Sequence, residues 1–173
     1  MTESNVYDDA ALVRLASRLG ECLTARGWLA ATAESCTGGG ISAAITEVAG
    51  SSGWFDRGFV TYSNAAKQEL LGVQAATLAR VGAVSEETAG EMAAGALARS
   101  EAHLGVAVTG VAGPGGGSVE KPVGTVCFGF GTRDGRVITR RHHFEGDRAA
   151  VRYQTVVTAL EGLIALAEGH SPR

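Results

Sequence analysis

Short apolar runs alternate along this chain with apolar residues spaced for helices, and that alternation restricts the fold more than any single residue does. Trp28 to Ala33, Phe59 to Tyr62 and Leu104 to Val108 are too short for helices and read as buried strands. Between them lie helical stripes. Leu12, Leu15, Ala16, Leu19 and Leu23 share one face of a helix that starts near Asp8 or Asp9 and stops at Gly27. Ile41, Ala44, Ile45 and Val48 form a second stripe. Asn64 is expected to cap a third helix with Lys67 in its first turn, and Ser85 a fourth, with Glu86 and Glu87 at its positive end and Ala89, Met92, Ala93, Ala96 and Leu97 buried. Val123 to Phe130 and Val137 to Phe144 flank Thr132-Arg133-Asp134-Gly135, a hairpin signal, and Asp147 caps a last helix running through Tyr153, Val156, Leu160 and Leu163. Strands alternating with helices and then a hairpin predict an α/β layered domain with a mixed sheet.

One domain accounts for all of this. Residues 9–168 form it, with 1–8 and 169–173 expected as loose termini, and 173 residues are enough for a self-sufficient core. Hydrophobic residues make up 45% and charged residues 19%, which excludes a disordered chain. The net charge of −3, with no basic stretch denser than Arg140-Arg141, argues against a nucleic-acid partner. No run of about 18 apolar residues predicts a membrane span. The polar, acidic N-terminus is unlike a signal peptide, and Cys22, Cys36 and Cys127 are too scattered for a disulfide framework or zinc cluster. The expected location is therefore the cytoplasm.

The chemistry concentrates where strands give way to helices. Ala33-Glu34-Ser35-Cys36-Thr37-Gly38-Gly39 is one such junction, where a side chain faces the crevice beyond the strand ends and the amides of the new helix can hold an anion. Spacing alone favours Ser35 or Thr37 as a plain helix cap; as a nucleophile, Ser35 needs a base. Cys36 reads as a small buried residue. His103, His142, His143 and His170 offer no obvious triad histidine and no metal set. Tyr62 and Lys67 straddle a second junction, where a lysine with its pKa lowered by burial can accept a proton; a solvent-facing lysine fits that spacing equally. Thr109-Gly110-Val111-Ala112-Gly113-Pro114 opens a glycine-rich loop that leads to Lys121-Pro122-Val123-Gly124. The loop matches neither a Walker A nor a dinucleotide fingerprint, but its amides can form an anion nest. Arg148 and Arg152, one helical turn apart, can hold a phosphate or carboxylate or pair with nearby acids.

Taken in order, these four segments resemble the CinA C-terminal domain family, over about Leu12 to Leu166. The resemblance implies a three-layer α/β/α sandwich and hydrolysis of nicotinamide mononucleotide to nicotinate mononucleotide and ammonia; no cofactor is expected, and no protein metal site is apparent in the sequence. It maps a catalytic Ser, Tyr and Lys onto Ser35, Tyr62 and Lys67. It makes Glu34, Cys36, Thr37, Gly38, Gly39, Thr109, Gly110, Gly113 and Arg148 candidates for holding a pyridine mononucleotide, and it implies a homodimer. Longer family members carry a further N-terminal domain for which this chain has no room. The alternative is an inactive nucleotide-binding or regulatory module of the same competence-damage-inducible family.

Overall fold

The computed structural model describes residues 7–173. Elements follow in the order α1 (Asp9–Arg26), β1 (Ala30–Glu34), α2 (Gly40–Thr46), β2 (Phe55–Val60), α3 (Asn64–Leu71), α4 (Ala75–Val81), α5 (Glu86–Ala98), β3 (Leu104–Gly110), β4 (Thr125–Thr132), β5 (Val137–His143) and α6 (Arg148–Ala167), with a 3-10 turn at Ser51–Gly53 before β2. The five strands make one mixed sheet in the order β2-β1-β3-β4-β5. β2, β1 and β3 run parallel, and β4 and β5 return antiparallel, as the hairpin signal predicts.

Side chains alternate along each strand, so the two faces of the sheet feed two cores. Leu104, Val106 and Val108 of β3 and Val126, Phe128 and Phe130 of β4 pack with Leu19 and Leu23 of α1, Ile41 and Ile45 of α2, and Leu160 and Leu163 of α6. On the other face Ala33 and Ala107 meet Leu71 of α3 and Met92, Ala93 and Ala96 of α5. The result is the expected three-layer α/β/α sandwich. Small residues set the layer spacing: a Cβ on Gly129 of β4 would lie 2.2 Å from the Ala89 carbonyl of α5, so only glycine lets the helix approach so closely.

Most caps fall where the sequence places them. Asp8 accepts the Ala11 N–H at 3.1 Å, Ser85 the Thr88 N–H at 3.1 Å, and Asp147 the Ala150 N–H at 2.9 Å. Gly27 ends α1 with φ 65°, a left-handed conformation that suits glycine. Three expectations change. Ser63, not Asn64, caps α3, accepting the Ala66 N–H at 3.0 Å. α4 was not foreseen, because a side chain from another element starts it: Glu91 of α5 accepts the Gln74 N–H at 2.8 Å and the Thr77 hydroxyl at 2.5 Å. Tyr7 and His170, within the arms expected to be loose, also make hydrogen bonds. Tyr7 donates to Asp147 at 3.0 Å, and the His170 N–H reaches the Ala165 carbonyl at 2.8 Å. The rest of the arm expected to be loose, residues 1–6, lies outside the described residues.

The turn from β1 into α2 is wound around Glu34. Its carboxylate, fully buried, accepts from the Thr32 hydroxyl (3.3 Å), the Thr37 hydroxyl (2.6 Å), the Ile41 N–H (2.8 Å), the Ser42 N–H (3.0 Å) and the Ser42 hydroxyl (2.7 Å). α2 has no side-chain cap at Gly39, so Glu34 takes the place of one. Glu34→Gln keeps the volume but turns an NH2 toward these donors. It should cost about 3 kcal/mol, a Tm drop of roughly 6–12 °C, measurable by thermal denaturation.

Candidate active site

β1, β2 and β3 are parallel, so their C-terminal ends open on the same edge of the sheet, where ligands gather in folds of this kind. A cleft of about 300 Å³ lies there, lined by Ser35 and Cys36 after β1, Tyr62 and Lys67 after β2, and Thr109 to Gly113 at the end of β3. Gly115, Gly116 and Arg148 close one side, and Ala83 and Val84 the other.

Strand alternation sorts the residues of the first junction. Thr32 and Glu34 point toward α2, whereas Ala33 faces the α3 and α5 layer; Ser35 follows on that second side and meets Lys67. The Lys67 ammonium donates to Ser35 Oγ at 3.0 Å, to the Thr61 carbonyl at 2.9 Å and to the Tyr62 carbonyl at 3.1 Å. All three acceptors are neutral oxygens. Lys67 is only 1% exposed, and burial pulls its pKa below the ordinary lysine range, since desolvation disfavours the charged form. The solvent-facing reading of this lysine does not hold. Cys36, beside the hydroxyl, has the opposite property: burial pushes its thiol up to about 12, so it does not compete as a thiolate nucleophile at neutral pH.

Tyr62 reaches Lys67 through its backbone carbonyl. Its side chain stands at the rim, 65% exposed, and its hydroxyl makes no hydrogen bond among the described residues. Thr109 lines the cleft while its hydroxyl donates to the Ala83 carbonyl at 2.9 Å, tying the segment before α5 to the end of β3. The glycine loop is pinned. Val111 N–H reaches the Thr125 carbonyl at 2.9 Å, Gly124 N–H reaches the Val111 carbonyl at 2.8 Å, and Arg148 donates to the Gly113 carbonyl at 2.9 Å. Gly113 has φ 85°, and a Cβ there would lie 2.4 Å from Val123, so the loop is pressed against the start of the hairpin.

Three residues expected to hold a ligand fall elsewhere: Glu34 is buried with both oxygens engaged, and neither Gly38 nor Gly39 lines the cleft. A fourth, Thr37, spends its hydroxyl on Glu34, so its backbone is what is left for a ligand. The amides at the start of α2 are not free for an anion either, because Ile41 and Ser42 give theirs to Glu34. Arg152 lines an adjoining hollow together with Arg148. It donates to the Cys36 carbonyl at 3.2 Å and the Thr37 carbonyl at 3.1 Å. Sequence reasoning missed Ala83 and Val84, small apolar residues that carry no chemical signal of their own.

Residues 12–167 match the family model described as the CinA C-terminal domain. The chain is 59% identical over 150 residues to the nicotinamide-nucleotide amidohydrolase PncC of Enterobacter agglomerans, covering 87% of this chain and 92% of that protein. It is 55% identical over 155 residues to the protein of the same name from Escherichia coli strain K12, covering 90% and 94%. Among solved structures, the competence/damage inducible protein CihA from Agrobacterium tumefaciens superposes with a TM-score of 0.88 at 53% identity, over 90% of this chain and 95% of that one. A CinA superfamily protein from Klebsiella pneumoniae 700603 gives 0.87 at 41% identity, over 91% and 98%. With the family model spanning nearly every element and the strand-end cleft built from its motifs, the chain belongs to the CinA C-terminal domain family.

Proposed function

We propose that the chain is an amidohydrolase that converts nicotinamide mononucleotide to nicotinate mononucleotide and ammonia, with Ser35 as nucleophile and Lys67 as its base. The observation that carries this reading is the 3.0 Å contact between Lys67 Nζ and Ser35 Oγ at the floor of the cleft. A serine hydroxyl needs a base to be a nucleophile, and a lysine needs a lowered pKa to be one. Burial among neutral oxygens provides the second condition. The relatives named for this activity, alike over nine-tenths of the chain, support the choice of substrate.

In this mechanism neutral Lys67 takes the Ser35 proton as Oγ bonds to the carboxamide carbon. The tetrahedral intermediate collapses with cleavage of the C–N bond, and the proton passes to the leaving nitrogen, which departs as ammonia. Tyr62, at the rim, is assigned to relay that proton. Water then attacks the ester on Ser35 and releases the acid, returning the hydroxyl. The glycine loop and Arg148 remain the candidates for the phosphate end. A catalytically silent nucleotide-binding module would bind the same ligand and release no ammonia.

An ammonia-release assay on nicotinamide mononucleotide decides between the two. Ser35→Ala should abolish release while leaving the melting temperature near that of the wild type; wild-type-like turnover would remove Ser35 from the mechanism. Lys67→Ala should lower kcat by about 10²–10⁴, the range for a positioned general base, and Tyr62→Phe by about 10², at its lower end.

The pH profile gives a separate check. Because burial favours neutral Lys67, kcat/KM should rise with pH through a midpoint below the ordinary lysine value of 10.5 and then level off. The same shift has a sign for stability. The unfolded chain binds more protons than the folded one between the two pKa values, so this group's contribution to stability increases as pH rises through that window. A rising limb that survives in Lys67→Ala would assign the titration to another group.

A further inference from the structure

We infer that Arg152 is a positioning residue for this reaction: from behind the nucleophile turn, its guanidinium orients the Cys36–Thr37 peptide so that the Thr37 N–H faces the oxyanion forming on the Ser35 ester carbon. The inference rests on the amidohydrolase reading above and concerns the same site.

Ser35 to Gly38 is a tight turn, closed by the Gly38 N–H on the Ser35 carbonyl at 3.0 Å. The Cys36–Thr37 peptide is the central one, so it stands across the turn with no ladder to hold it. Arg152 holds it from one side, through Nε to the Cys36 carbonyl at 3.2 Å, and a second nitrogen holds the Thr37 carbonyl at 3.1 Å. In a trans peptide the N–H points opposite the carbonyl. Arg152 belongs to α6, which covers the same face of the sheet as α1 and α2, so the Thr37 N–H is directed toward the opposite layer, where Lys67 and Ser35 Oγ meet.

That N–H has no acceptor among the described residues. The amide of Cys36 likewise has no backbone acceptor among the described residues. These two amides and that of Gly39 are the ones left in the turn without an acceptor once Glu34 has taken those of Ile41 and Ser42. Arg152 lines an adjoining hollow that shares Ala112 and Arg148 with the cleft, and its guanidinium is spent on two backbone carbonyls of the turn, so its hold on the site runs through the backbone. A positive charge on the carbonyl side also polarises the peptide, making its N–H a stronger donor. Without Arg152 the central peptide can rotate and present a carbonyl oxygen where a donor is needed.

Arg152→Ala and Arg152→Lys test this in two assays. With nicotinamide mononucleotide, Arg152→Ala should lower kcat by about 10–100-fold with KM within about threefold, a loss below that for removing an oxyanion donor outright. Arg152→Lys should recover part of it. The same fall in kcat should appear with nicotinamide riboside, which lacks the phosphate; a loss confined to the mononucleotide, and seen in KM, would make Arg152 a phosphate ligand and overturn the inference. The second assay needs no native substrate: a fluorophosphonate forms a bond from phosphorus to Ser35 Oγ with loss of fluoride, followed by intact mass. Arg152→Ala should label at least tenfold more slowly than wild type. If it unfolds, the comparison passes to Arg152→Lys, where slowed labelling at an unchanged melting temperature is expected. Equal labelling rates in wild type and the folded variant would overturn the inference alone. A wild type that labels at Ser35 but releases no ammonia would overturn the substrate assignment and leave the role of Arg152 standing. A wild type that takes no label would overturn the Ser35 reading and this inference with it.

Discussion

A carboxylate removed from water must have its hydration replaced by donors, and Glu34 meets that requirement with five hydrogen bonds drawn from β1, the turn after it and the first residues of α2. The rest of the junction follows from those bonds. α2 begins where Ile41 and Ser42 can reach the carboxylate, so the four residues from Ser35 to Gly38 are left to make the turn on their own. Glycines with positive φ at 38 and 39 let the chain double back in that short distance. A buried acid thus fixes the local backbone that presents Ser35, without lining the cleft.

Separating Glu34 from Lys67 is equally important. A carboxylate near Lys67 would stabilise the ammonium and cancel the effect of burial. Strand alternation prevents this within a single step of the chain: Glu34 faces α2, and Ser35 faces α3. Lys67 is therefore surrounded by a hydroxyl and two backbone carbonyls, which satisfy its donors without supplying a negative charge. The desolvation that would ordinarily make a buried lysine a pure destabilisation here sets its proton affinity.

Much of this architecture could be read before any coordinates. Short apolar runs located four of the strands to within two residues, whereas β2 spans Phe55–Val60 and not the expected Phe59 to Tyr62, and Asp8, Ser85 and Asp147 signalled helix starts because capping is a local interaction. What escaped was non-local. α4 begins on a side chain from α5, Ala83 and Val84 join the cleft through a hydrogen bond from Thr109, and Arg152 works on a turn more than a hundred residues away. Within the site, the pairing of Ser35 with Lys67 was suggested by motif order, whereas Glu34 was misplaced among ligand contacts. Its acidity and position beside Ser35 look alike from sequence whether the side chain faces substrate or α2; only the strand's face decides.

The turn from Ser35 to Gly38 is consequently held from three directions by three kinds of group. Glu34 fixes its exit into α2 through hydroxyls and amides, Lys67 holds the Ser35 hydroxyl from the α3 layer, and Arg152 holds its carbonyls from α6. The two layers of helices press on it from opposite sides, so the turn's orientation reports the packing of the whole sandwich. A loop this short has too few backbone hydrogen bonds of its own to resist rotation of its central peptide. Preorganised donors are effective because they need no rearrangement as charge develops, and this turn is held in place by side chains from both faces of the sheet. The small residues that let α5 approach so closely are in this sense part of the site, because a looser sandwich would leave the turn free to move.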